Sequence, residues 1–117
     1  MLKALAVRTN GTYEIKEYEA PLHKALGQTV GGWIEIVTPA VSIVSGLIDN
    51  HHRFVCNEEG ALIPLPHNVF GTMLYGNIIH GDIVMCKVGI TQGGDIDIVS
   101  LTDDEIARYI KILEAIK

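Results

Sequence analysis

Residues 2–18 have the sequence LKALAVRTNGTYEIKEY, and this stretch decides the fold prediction. Leu2 to Arg8 has the composition of a strand. The alternating pattern of residues from Thr12 to Tyr18 predicts a second strand. Between them, Asn10-Gly11 supplies the positive φ angles that a tight type I′ turn requires. The start of the chain therefore predicts an antiparallel hairpin.

The next segment predicts a helix followed by a strand. Leu22 to about Gln28 places apolar residues on one helical face, and Pro21 suits the first turn of such a helix. Gly31 and Gly32 should end it. Trp33 to Thr38 then predicts a strand.

The middle of the chain is harder to interpret. Val41 to Ile48 fits either a strand or irregular structure. His52 to Cys56 predicts a strand, and Asn57-Glu58-Glu59-Gly60 a turn that would let Ala61 to Leu65 pair back as a second hairpin. His67 to Tyr75 predicts a short helix.

The C-terminal part completes the fold prediction. Ile83 to Val88 and Asp95 to Val99 predict two more strands, and Thr102 with Glu105 forms a capping-box pattern at the start of a helix. We therefore expect one α+β domain over residues 1–117. It should have a mostly antiparallel sheet, two short helices and a capped C-terminal helix.

Composition limits the kinds of partner. The 117 residues carry a formal net charge of -5, which argues against a nucleic-acid interface, because such an interface needs a basic surface. No run is long and apolar enough for a membrane span, so we expect no membrane contact and a cytoplasmic location. The apolar stretch from Val37 to Ile48, which includes the segment Ala40 to Ile48, predicts a homo-oligomer.

No pattern of catalytic, cofactor-binding or metal-binding residues stands out. Cys56 and Cys86 lie in apolar stretches, as buried free thiols do. His51 and His52 are adjacent, so on a strand they point to opposite faces and cannot chelate one ion together. We expect neither a cofactor nor a metal. An enzyme remains the alternative: a small hydrolase with a dispersed site built from His51, His52, Glu58, Glu59 and His80.

Five segments together resemble a small-protein family of unknown function. They are Val30–Glu35 (VGGWIE), Val55–Gly60 (VCNEEG), Pro64–Asn68 (PLPHN), Gly81-Asp82 and Ser100–Asp103 (SLTD). The family that this chain resembles is common in bacteriophages and Gram-positive mobile elements. The apolar segment Ala40 to Ile48 is longer here than the corresponding part of the family's pattern. The resemblance implies a context without implying a chemical mechanism.

In that context we expect a non-enzymatic binding protein that counteracts host defence. It would sequester a small anionic signal of nucleotide type or bind a host defence protein. The predicted ligand-binding residues are Gly31, Gly32, Trp33, Arg53, Asn57 and Asn68. Trp33 could stack on a base, and Arg53 could form bidentate hydrogen bonds with phosphate oxygens. The competing interpretation is that these residues only build turns.

Overall fold

The computed structural model describes residues 1–39, 51–63 and 65–116. Within these ranges the chain forms six strands and three helices. The strands are β1 (Leu2–Val7), β2 (Tyr13–Tyr18), β3 (Ile34–Val37), β4 (His52–Asn57), β5 (Ile83–Ile90) and β6 (Ile96–Val99). The helices are α1 (Leu22–Val30), α2 (Val69–Tyr75) and α3 (Asp103–Ala115).

All six strands join in one antiparallel sheet around β5. The order is β2-β1-β5-β4-β3, and β6 also pairs with β5. Met85 in β5 lies opposite Leu5 of β1 on one side and Phe54 of β4 on the other, whereas residues 87–90 pair with β6. The predicted α+β class, with its mostly antiparallel sheet, two short helices and capped C-terminal helix, is confirmed.

Helices cover both faces of the sheet, because strand side chains alternate between the faces. In β5, Val84 and Cys86 pack with Leu26 and Val30 of α1. Ile83 and Met85 point to the other face, where the larger core includes side chains from α2 and α3: Phe70, Leu74, Ile106, Tyr109 and Leu113. The apolar run Ile83–Cys86 at the start of β5 is typical of strand residues buried on both faces.

The predicted N-terminal hairpin is present with its full register. Leu2 lies opposite Tyr18 and Val7 opposite Tyr13. Gly11 has φ of 86°, which glycine adopts without steric cost. The predicted type I′ geometry is wrong, because it requires a positive φ at Asn10 as well, and among the described residues only glycines have positive φ. The Gly11 N–H donates instead to the Arg8 carbonyl at 3.0 Å.

The prediction of a second hairpin after β4 is wrong. The N–H groups of Leu62 and Ile63 both donate to the Glu59 carbonyl, so this segment winds into successive turns. The strand β4 already pairs with β3 on one side and β5 on the other. It therefore has no free edge for residues 61–65.

Two further predictions concern hydrophobic segments. The segment Val41 to Ile48, with most of the apolar stretch that suggested oligomerisation, lies outside the described residues. In residues 1–39, 51–63 and 65–116, no helix has the length and apolar character that crossing a membrane requires.

One end of each of two helices follows the predicted chemistry. Thr102 caps α3: its side chain accepts from the Glu105 N–H, and the Glu105 carboxylate accepts from the Thr102 N–H at 2.8 Å. At the end of α1, Gly31 has φ of 86° and its N–H donates to the Gly27 carbonyl at 2.8 Å. This left-handed residue turns the chain toward Trp33.

The end of α1 gives a test of this backbone requirement. Gly31→Ala should lower the free energy of unfolding by about 1–2 kcal/mol, because a Cβ is strained at this φ. Gly93→Ala is the control, since Gly93 is not in the left-handed region and a Cβ there meets only ordinary contacts. Urea denaturation followed by circular dichroism measures both; equal effects of the two substitutions would contradict the assignment.

Candidate functional site

The turn after α1 is fixed against the end of β4. The Asn57 side chain is buried; its Nδ2 donates to the Val30 carbonyl at 3.1 Å and its Oδ1 accepts from the Glu59 N–H at 2.8 Å. The Glu58 N–H donates to the Trp33 carbonyl at 2.9 Å. These bonds hold the backbone of Trp33 in one position.

Close approach explains the glycines of this turn. A Cβ on Gly32 would lie 3.0 Å from Asn57 Nδ2, and a Cβ on Gly27 would lie 2.8 Å from the Gly32 carbonyl oxygen. Side chains at either position would force the turn away from β4 or from α1.

Trp33 stands out from this turn with 73% of its surface exposed. Beside it is a shallow cleft of about 470 Å³. The residues that line the cleft are His23, Lys24, Gly27, Gln28, Gly32 and Trp33. Residues that carry an indole, an ammonium group, an imidazole and an amide thus surround the cleft, and no carboxylate belongs to the lining within the described part of the chain.

A wider cleft of about 710 Å³ lies between β2 and α1. Lys24 and Gln28 line it as well, so the exposed side of α1 separates two adjoining clefts. Its charge is mixed. The basic side chains are Arg8, Lys16 and Lys24, and the acidic ones are Glu17, Glu19 and Asp82. This balance favours no single sign of ligand charge, unlike the cleft beside Trp33.

The six predicted ligand-binding residues fall into three groups: two line the cleft, two shape the turn behind it, and two are not part of the cleft's described lining. Gly32 and Trp33 line the cleft, and Gly31 and Asn57 shape the turn behind it. Arg53 is half-buried and donates from Nη1 to the His52 carbonyl at 2.7 Å, and it is not among the described residues that line the cleft.

Asn68, the sixth, holds a different part of the fold together. Its side chain is 1% exposed and caps α2 by accepting from the Gly71 N–H at 2.9 Å. Its Nδ2 donates to the carbonyls of Val7 and Gly81 at 3.1 and 3.0 Å. The hydrogen-bonding capacity that suggested ligand recognition is therefore used inside the protein.

A buried polar network lies on the other face of the sheet. His52 is 2% exposed; its Nδ1 lies 2.6 Å from the Tyr109 hydroxyl and its Nε2 2.8 Å from Glu105 Oε2. Lys87 Nζ lies 2.9 Å from Glu105 Oε1. Burial alone would raise the pKa of Glu105, but hydrogen bonds from Thr102 and Lys87 outweigh it and lower the pKa to about 2.

The residues of the alternative hydrolase site do not form one cluster. His52 is enclosed by Tyr109 and Glu105, whereas Glu58 and Glu59 are exposed in the turn beyond the other end of β4. Glu58 lies six positions after His52 along an extended strand, a distance of about 20 Å. His80 Nδ1 is bound to the Leu65 carbonyl at 2.9 Å.

The cysteines behave as core residues. Burial raises the pKa of Cys56 to about 11 and that of Cys86 to about 12, so both are protonated thiols at neutral pH. Among the residues that the structure describes, no three His, Cys, Asp or Glu side chains lie close enough to hold a metal ion.

Comparison with sequence families identifies the chain's relatives. A family model described as domain of unknown function, DUF3846, matches residues 2–114. The chain belongs to this family. A search of curated proteins gave no significant match. Since the DUF3846 match covers nearly the whole chain, it includes every residue of the cleft beside Trp33.

One solved structure is similar to this DUF3846 member. It is a crystal structure of the small RNA methyltransferase HEN1, with a TM-score of 0.61 and 15% sequence identity. The match covers 93% of this chain, and the chain spans only 16% of the length of that structure. At this identity the likeness concerns the fold alone.

Sequence reasoning missed the side chains that complete the cleft. His23, Lys24 and Gln28 lie on the exposed side of α1, whose buried residues are Leu26 and Val30. The predicted helix contained this signal, because residues off its apolar face must point to solvent. The sequence did not predict the angle of the turn that places Trp33 beside these three side chains.

Replacing Asn68 separates a structural role from a ligand-binding role. Asn68→Ala should lower the free energy of unfolding by about 2–3 kcal/mol, since it removes a helix cap and the buried hydrogen bonds to the Val7 and Gly81 carbonyls. Asn77→Ala is the control, because Asn77 is exposed and its side chain accepts only from the adjacent Ile78 N–H. Denaturant titration measures both, and an unchanged stability for Asn68→Ala would contradict the structural role.

The low pKa of Glu105 predicts a loss of stability in acid. Because the pKa of Glu105 is about 2 in the folded protein and 4.5 for an unperturbed glutamate, its contribution to stability is complete above pH 4.5 and is lost as the pH falls toward 2. The loss should amount to at most about 3 kcal/mol. Glu105→Gln should remove this pH dependence, measured by thermal unfolding between pH 2 and pH 6. Asp104→Asn, an exposed acid in the same helical turn, should retain it.

Proposed function

We propose that this protein is a non-enzymatic binding protein that captures a small anionic ligand of nucleotide type in the cleft beside Trp33. The observation that carries the proposal is an exposed indole on a fixed backbone next to Lys24, in a cleft whose described lining contains no carboxylate.

The chemistry of the cleft suits a flat ring joined to an anionic group. A base can stack on the indole face of Trp33, and such stacking is sequence-tolerant because every base has a π face. Lys24 supplies a cation for phosphate, while His23 and Gln28 supply polar contacts. A cleft of about 470 Å³ falls in the range of known small-molecule sites.

The rigid turn lowers the cost of binding. The Trp33 backbone is held by Glu58, and Asn57 fixes the residue that ends α1. A site whose backbone is already positioned loses less conformational entropy when a ligand binds. The same bonds explain why Asn57 and Gly31 contribute to such a site without touching the ligand.

The proposed biological setting is a bacteriophage or mobile element in the cytoplasm of its host. There the protein would sequester a nucleotide signal of host defence, and sequestration needs tight binding without turnover. A binding role agrees with a cleft whose described lining offers no pairing of a nucleophile with a general base. A host defence protein that docks on the exposed indole is the competing partner.

Trp33 is the only tryptophan, so its fluorescence reports directly on the cleft. Titration with ATP and with cyclic dinucleotides should quench and shift this emission. Lys24→Ala should weaken binding about tenfold to a hundredfold, the value of a hydrogen bond to a charged group. Calorimetry with Trp33→Ala should show no binding, and the ligand should be recovered intact after the protein is denatured.

Lys111→Ala is the matched control, because Lys111 is an exposed lysine on α3, across the sheet. It should bind as the unmodified protein does. If no nucleotide alters the fluorescence at millimolar concentration, or if Lys24→Ala and Lys111→Ala bind equally, the proposed function is wrong. Recovery of a hydrolysed product would show an enzyme instead.

A further inference from the structure

Two histidines far apart in sequence face each other outside the cleft. His67 and His80 form an isolated antiparallel bridge, and their ring centroids are 4.7 Å apart with the planes at 82°. Paired residues of an antiparallel bridge project their side chains from the same face. The two imidazoles therefore stand side by side at the surface.

His80 is oriented as a metal-binding histidine would be. Its Nδ1 lies 2.9 Å from the Leu65 carbonyl oxygen. Since a carbonyl only accepts, Nδ1 carries the hydrogen, and Nε2 is the ring nitrogen that could ligate a metal. Histidines that ligate metals commonly donate their other ring N–H to a carbonyl in this way, which fixes the ring and raises its basicity.

His67 supplies a second available nitrogen. It is exposed, whereas His80 is half-buried, and within the described ranges no residue hydrogen-bonds to its ring. Zinc–nitrogen bonds of about 2.0–2.1 Å place two nitrogens of a tetrahedral site about 3.3 Å apart. Rings with centroids 4.7 Å apart can reach that spacing by side-chain rotation.

We propose that His67 and His80 form half of a zinc site that is completed by the same two histidines of a second copy of this chain. A structural zinc site takes four ligands, and the described part of one chain gathers no third candidate ligand around this pair. A twofold axis through the ion would supply the two missing ligands, because a symmetric dimer presents the same surface twice.

The surroundings of the histidine pair suit contact between two copies. Leu62 and Ile63 are 81% and 47% exposed, and they belong to the turns that lead to Leu65, the residue bound to His80. Ile78, two residues before His80, is 53% exposed. Exposed apolar side chains beside a shared ion would be buried together when the dimer forms.

The site was not visible in the sequence. His67 and His80 are thirteen positions apart, without the short spacing by which zinc ligands are usually recognised. Only the bridge formed around α2 brings them together. The expectation of no metal was based on the adjacent pair His51-His52, which does not include His67 or His80.

Zinc titration of the full chain, freed of metal with a chelator, tests the proposal. Calorimetry should give one zinc ion for two chains, and light scattering should show a zinc-dependent dimer that a chelator disperses. Cobalt(II) in place of zinc should give the intense visible absorption of a tetrahedral site.

His67→Ala is the decisive variant, since the described structure gives its ring no bond whose loss would unfold the chain. It should weaken zinc binding at least tenfold and abolish the zinc-dependent dimer. His51→Ala, which removes another exposed histidine, should change neither. If zinc binds at one ion per chain, if it does not bind, or if His67→Ala binds and dimerises like the unmodified chain, the proposal is overturned. Nucleotide binding in the cleft is measured separately and is independent of these results.

Discussion

The structure depends on the backbone pairing of β5 with its neighbours. Its residues 83–87 hydrogen-bond to β1 and β4, and its last four residues hold β6. Without β5, the N-terminal hairpin and the β3–β4 pair would have no common sheet. Burial on both faces supports this position, since Ile83 to Cys86 are all fully enclosed. Each helix then covers apolar surface that the sheet already presents.

This central pairing also determines where the polar groups are placed. Since β4 runs beside β5, its first residue, His52, lies under α3, and its last, Asn57, lies under the end of α1. The two residues face opposite sides of the sheet because they are five positions apart. One end of β4 therefore anchors a buried network with Glu105, and the other holds the turn that carries Trp33.

Local signals in the sequence predicted local structure well. The Asn10-Gly11 turn, the glycine stop of α1 and the capping box at Thr102 each involve a few neighbouring residues, and each is present. The second hairpin failed because Asn57–Gly60 specifies a turn without specifying which strands occupy the edges of β4. The same limit applies to the candidate sites. Sequence singled out Trp33, whereas the contribution of Lys24 depends on how α1 packs.

The candidate cleft also shows why overall charge is a weak guide to ligand charge. The chain carries a net charge of -5, yet the described lining beside Trp33 contains a lysine and a histidine without a carboxylate. Exposed charges farther away than a Debye length of about 8 Å are largely screened at physiological salt. A ligand in the proposed cleft would therefore respond mainly to Lys24 and its immediate neighbours. The acidity of the whole surface favours solubility. It disfavours the binding of long polyanions, which contact many charges at once, but it does not prevent a small anion from binding at one site.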